Sequence, residues 1–120
     1  MNIKKIDSVT LPVTDLQRST KWYAQTLGLE EIWRQEENNG VGFGIGDNSA
    51  TLNLFQETGG PRLIIQVERV EDARAELERK GVTFEGATET VEGIGKFAGF
   101  RDPDGHRIWL LDYTIEHGEV

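Results

Sequence analysis

The chain has 120 residues, 37% of them hydrophobic and 28% charged, the balance of one globular domain long enough for a real core. It contains no cysteine, so disulfides, thiolate nucleophiles and Cys-ligated metals are excluded. Its 13 basic and 21 acidic residues give a net charge of −8, the wrong sign for displacing counterions from nucleic acid. No run nears the roughly 20 apolar residues of a membrane span, and the opening MNIKKIDSV has no apolar signal core, so a cytoplasmic protein is expected. The acidic surplus reads as solubility, with attraction of a cationic ligand as the alternative.

In chain order, SVTLPV predicts an apolar strand ending at Val13. An amphipathic helix follows, with Leu16, Tyr23, Ala24 and Leu27 on one stripe. Thr14 with Gln17 predicts a capping box at its start, and Gly28 its stop. Three short strands come next, at 29–34, 41–45 and 50–55, separated by the turn-rich ENNG and GDNS. The run GVGFGIG at 40–46 has part of the spacing of a phosphate-binding loop but opens no helix, so a hairpin of small residues is expected.

The pattern then restarts. RLIIQV predicts a strand ending at Val67, then a helix with Val70, Ala73 and Leu77 on one stripe and Gly81 as its stop. Strands are expected at 82–85, 95–101 and 106–113, the last two joined by the turn Asp102-Pro103-Asp104-Gly105. Beyond that turn Arg107, Trp109 and Leu111 share one face of the strand, and Ile108 and Leu110 the other. The chain is thus written twice, β-α-β-β-β, with an offset of about 55 residues. The expected fold is α+β: one domain over 1–120, built of two βαβββ modules at about 1–58 and 59–120, whose curved mixed sheets leave a cleft.

Polar residues single out no catalytic group. His106 beside the turn reads as an exposed hairpin residue, and His117 lies in the polar tail TIEHGEV. The carboxylates at Glu30-Glu31, Glu36-Glu37, Glu68 and Glu71-Asp72 fall on junctions and helix faces, where solvation is the ordinary state. No Ser-His-Asp ordering stands out.

Through SVTLPVTDLQRSTKWYAQTLGLE, VERVEDARAELERKGV and FRDPDGHRIWLL, the chain resembles the vicinal oxygen chelate superfamily over nearly its whole length. That superfamily includes glyoxalase I, extradiol dioxygenases, fosfomycin-resistance transferases and bleomycin-binding proteins. Its metal-dependent members carry one ligand, usually His, on the first strand of each module and another, usually Glu, on the last. Those positions fall here on Ser8, Asn53, Arg62 and Trp109. A hydroxyl and an amide are weak donors to an ion, a guanidinium repels it, and an indole offers only N–H.

The resemblance therefore implies a site with neither metal nor cofactor. Ser8 and Asn53 would supply hydrogen bonds, Arg62 and Arg107 positive charge, and Trp109 a stacking face. Thr10 would stand on the Ser8 face, Thr51 and Phe55 on the Asn53 face, and Phe43 and Trp33 as walls. Trp22 reads as packing or as a dimer contact. Three readings stay open: a metal-independent, homodimeric protein binding a small aromatic or anionic molecule; a glyoxalase-type lyase, isomerase or dioxygenase with shifted ligands; and a scaffold whose cleft Trp109 fills.

Overall fold

The structure, a computed structural model, describes residues 1–114, and of Asn38 the backbone only. His117 lies outside the described residues. Among the described residues eight strands and two α-helices form in the order of two βαβββ modules, as the pattern predicts. They divide into two compact units, residues 7–62 and residues 1–6 with the chain from Leu63 on.

In the first unit, β1 (Ile3–Val13), which begins in the other unit, leads to α1 (Leu16–Gln25). Then come β2 (Glu30–Gln35), a single 3-10 turn (Glu36–Asn38), β3 (Gly40–Ile45) and β4 (Ala50–Gln56). The strand order is β2-β3-β4-β1, antiparallel from β2 to β4 and parallel between β4 and β1. Because side chains alternate across a strand, Val41, Phe43 and Leu54 all face α1 and are fully buried against Leu11, Val13, Leu16, Tyr23, Ala24 and Leu29.

Two expectations for this helix are corrected. Its cap is Asp15, not Thr14: the Asp15 carboxylate accepts from the Arg18 amide at 3.1 Å, because Asp15 alone directly precedes the first helical residue. Leu27 is not on the buried stripe. The helix has ended by then, the chain turns at Gly28 with φ +75°, and Leu27 is 53% exposed.

In the second unit, β5 (Arg62–Val67), whose first residue belongs to the other unit, leads to α2 (Val70–Arg79), then β6 (Glu89–Val91), β7 (Gly95–Arg101) and β8 (Arg107–Leu111), in strand order β5-β8-β7-β6. Val67, Val70, Ala73, Phe84, Ala98 and Leu110 form its core, flanked by Ile65, Leu77, Val82 and Phe100. The strand expected at 82–85 is reduced to one bridge between Phe84 and Phe100. Phe84 is drawn into the core and the chain leaves the ladder at Gly86, φ +83°, so β6 supplies the third strand instead.

A buried carboxylate fixes the start of α2. Arg69, its capping residue, makes no side-chain cap bond. Asp112, just past β8, supplies one instead: its Oδ2 accepts from the Val70 amide at 2.7 Å. Its Oδ1 accepts from the Lys96 amide and the Thr114 hydroxyl, both at 2.9 Å. Burial pushes this carboxyl up, but the Val70, Lys96 and Thr114 donors outweigh it and hold the group below the ordinary carboxylate value. Among the described residues no helix is long and apolar enough to cross a membrane.

Candidate ligand site

The face of the first sheet turned away from α1 is built by the other half of each alternation. Here β1 offers Ser8 and Thr10, β4 offers Thr51, Asn53 and Phe55, and β3 offers only Gly40, Gly42 and Gly44. Register aligns these into rows across the strands: Ser8, Thr51 and Gly44; Thr10, Asn53 and Gly42; Pro12, Phe55 and Gly40. The glycines form a floor without side chains, and neighbouring side chains lie on it. A Cβ at Gly42 would stand 1.9 Å from Trp33 Nε1, one at Gly40 2.3 Å from the Phe55 ring, and one at Gly44 1.7 Å from Asn48 Oδ1.

Trp33 reaches this floor through an irregularity of β2. The register shifts between Glu31 and Trp33, and Trp33 pairs with Gly42 beyond that bulge. Bulges re-aim side chains in this way. The Trp33 and Phe55 rings are 5.8 Å apart at 44°, and the Arg62 guanidinium lies 5.8 Å from the centre of the Phe55 ring.

Polar groups on this face, and Arg62 beside it, are buried: Ser8 is 1% exposed, Thr10 0%, Asn53 8% and Arg62 7%. Ser8 Oγ donates to Asp7 Oδ2 at 3.0 Å, and the Thr51 hydroxyl donates to Asn53 Oδ1 at 3.1 Å. Arg62 Nη1 donates to Glu57 Oε2 at 2.6 Å. The Thr10 hydroxyl has no hydrogen-bond partner among the described residues.

Of the residues anticipated from sequence, Ser8, Thr10, Asn53, Phe55 and Arg62 therefore belong to one unit, and Ser8, Thr10, Asn53 and Phe55 share one sheet face. Trp109 and Arg107 belong to the other unit, on the face of β8 turned away from the core residues Leu110 and Ala98. There the Trp109 indole stacks on Phe97 at 4.8 Å and 19°, over Gly99, where a Cβ would be 2.7 Å away. Phe43 is corrected from wall to core: it is fully buried on the α1 side, 6.0 Å from the Tyr23 ring. Trp22 packs edge-on against Tyr23 yet is 49% exposed.

The side chains at the four implied ligand positions do not fit a divalent ion. A hydroxyl, an amide, a guanidinium and an indole supply no anionic or imidazole donor. The nearby carboxylates Asp7 and Glu57 already accept from Ser8 and Arg62. Elsewhere, Asp102, Asp104 and His106 are the one group of three possible metal donors among the described residues, and they lie on the β7–β8 turn. Asp102 is committed to holding that turn, accepting from the Asp104 and His106 amides and meeting His106 Nδ1 at 2.8 Å. The His106 imidazole holds the Asp102 carboxyl below its ordinary value. As expected, His106 itself is exposed.

Paired βαβββ modules of identical strand order define a class, and a match to known sequences places the chain within it. Residues 5–110 match the sequence model of the Glyoxalase/Bleomycin resistance protein/Dioxygenase superfamily, and the chain belongs to that superfamily. Methylmalonyl-CoA epimerase from Mycobacterium tuberculosis has a similar structure, with a TM-score of 0.80 and 16% identity over 98% of this chain and 93% of that one. A superfamily member from Vibrio splendidus 12B01 aligns with a TM-score of 0.71 and 13% identity, covering 92% of this chain and 98% of its own. Homoprotocatechuate 2,3-dioxygenase from Brevibacterium fuscum aligns with a TM-score of 0.76 and 23% identity over 93% of this chain, but over only 37% of the dioxygenase. These likenesses establish the fold. Chemistry resides in the side chains placed on it.

Proposed function

We propose that this chain binds a small, flat organic molecule on the glycine-floored face of its first module, and that it does so without a metal ion as anchor. The observation that carries this is the composition of that face. Buried hydrogen-bonding groups at Ser8, Thr10 and Asn53 stand beside the aromatic surfaces of Phe55 and Trp33, with no donor suited to a cation. Apolar and aromatic surfaces holding a few fixed polar groups are the ordinary lining of small-molecule sites. Homodimerisation belongs to the same proposal, supported by Trp22 and Leu27, which stand 49% and 53% exposed at α1 and just beyond it.

A second reading, a scaffold with its face filled, draws on the packing of Trp33, Phe55 and Asn48 directly onto the glycine floor. A thermal-shift and tryptophan-fluorescence screen against a broad panel of aromatic compounds separates the two. Saturable shifts that weaken on Phe55→Ala support binding. A flat response across the panel leaves the filled scaffold standing.

A further inference from the structure

This inference rests on the homodimerisation just proposed and names the surfaces that meet. The first unit holds four basic residues, and two are already committed: Arg34 to Glu31 at 2.7 Å and Arg62 to Glu57 at 2.6 Å. Arg18 and Lys21 differ. Both are exposed on α1, and neither makes an ion pair among the described residues. With Trp22 and Gln25 they stand at i, i+3, i+4 and i+7, on the helix face opposite the residues that pack on the sheet. No acidic residue lies within α1, and the carboxylate of its cap, Asp15, accepts from the Arg18 amide.

The same unit carries the counterpart. Glu30 opens β2, and Glu36 and Glu37 begin the turn that follows it; all three are exposed, with no ion pair among the described residues. β2 is the edge strand, two strands and thus about 10 Å from β4, against which α1 packs. The cationic helix face and the acidic edge are therefore neighbours on one unit. Charge then decides how two copies meet. Helix against helix would set uncompensated cations together. Edge against edge would oppose segments that each hold four carboxylates to one guanidinium, along a strand interrupted by the bulge after Glu31. A two-fold axis that sets α1 of each copy against the turn after β2 of the other compensates both charges twice over, and covers the exposed Trp22 and Leu27. We infer that the homodimer forms in this way, with Arg18 and Lys21 of each copy facing Glu36 and Glu37 of the other across Trp22.

Sedimentation velocity on the unaltered protein and on two charge-reversed variants tests this. Between about 50 and about 500 mM NaCl the dimer of the unaltered protein is expected to weaken by about tenfold or more, as salt screens the pairs. Arg18→Glu with Lys21→Glu, and separately Glu36→Lys with Glu37→Lys, should each give monomers. An equimolar mixture of the two variants should form a heterodimer, because each reversed surface then meets its opposite. Circular dichroism checks that the variants fold, and the salt series on the unaltered protein decides the matter should they not. A dimer indifferent to salt, a dimer that persists in either variant, or a mixture that stays monomeric overturns this inference and leaves homodimerisation to another surface. An unaltered protein that stays monomeric up to about 1 mM removes homodimerisation as well, while the ligand screen judges binding independently.

Discussion

At Gly42 an added methyl group would sit 1.9 Å from the Trp33 indole nitrogen, far inside contact distance. Gly42→Ala must therefore lift the indole or bend β3, and overpacking of this kind costs about 1–3 kcal/mol. Urea unfolding should show that loss, and adding Trp33→Ala should return much of it, since contacting residues couple by about 0.5–3 kcal/mol. Thr10 predicts the opposite sign. Its hydroxyl is fully buried without a partner among the described residues, so the near-isosteric Thr10→Val should raise stability by about 1 kcal/mol in the ligand-free protein. A fall in melting temperature would mean the hydroxyl is satisfied by a bound water or by the ligand's equivalent. The facing of Ser8, Thr10, Asn53 and Phe55 was legible from period-two alternation alone. That of Trp33 was not, because the bulge after Glu31 resets the parity of β2. Phe43 was misplaced although its signal was present: in GVGFGIG every large residue falls on one parity and every glycine on the other.

At the level of elements, the helices show why local signals locate an element better than they locate its ties. Glycine stops and most of each apolar stripe were readable, and the strand ends at Val13 and Val67 are where the pattern puts them, although Leu27 and the strand expected at 82–85 were not. What could not be read is the cap of α2, since its carboxylate comes from Asp112, 42 residues further along the chain. Asp112 also gives the fold an acid limit. Its folded value is depressed, so the unfolded chain takes up the proton first; the stabilisation is complete above the unfolded value of about 3.9 and is lost as pH falls through the folded one. Asp112→Asn replaces one acceptor oxygen with an NH2 that faces backbone donors, at a cost of about 2–3 kcal/mol near neutral pH. Urea titrations of the two proteins from pH 7 down to about pH 3 should show that gap closing below about pH 4. A gap that stays constant would mean the Asp112 carboxylate contributes no charge-dependent stability.

Across the whole molecule the internal repeat is the strongest message of the sequence, and it survives in the structure as one strand order used twice, β2-β3-β4-β1 and β6-β7-β8-β5. The repeat also explains what sequence could not decide. Two modules of one topology carry different faces: β3 presents three glycines under Trp33, Phe55 and Asn48, whereas β7 presents Gly99 under an indole already stacked on Phe97. Topology follows from apolar period and turn residues, which are local. The character of a face follows from which side chains fold over which glycines, which is not. Metal content tests the face chemistry of both modules together. With hydroxyl, amide, guanidinium and indole at the four positions where relatives of the metal-dependent kind hold an ion, no donor set favours one over water. Protein purified without chelator should thus carry well under one nickel, zinc, iron or manganese per chain. Excess EDTA should move its melting temperature by no more than about 1 °C, because a chelator destabilises only a fold to which the metal was bound. A stoichiometric ion whose removal lowers the melting point, and whose affinity drops on Asn53→Leu, would assign this face to metal chemistry despite its side chains.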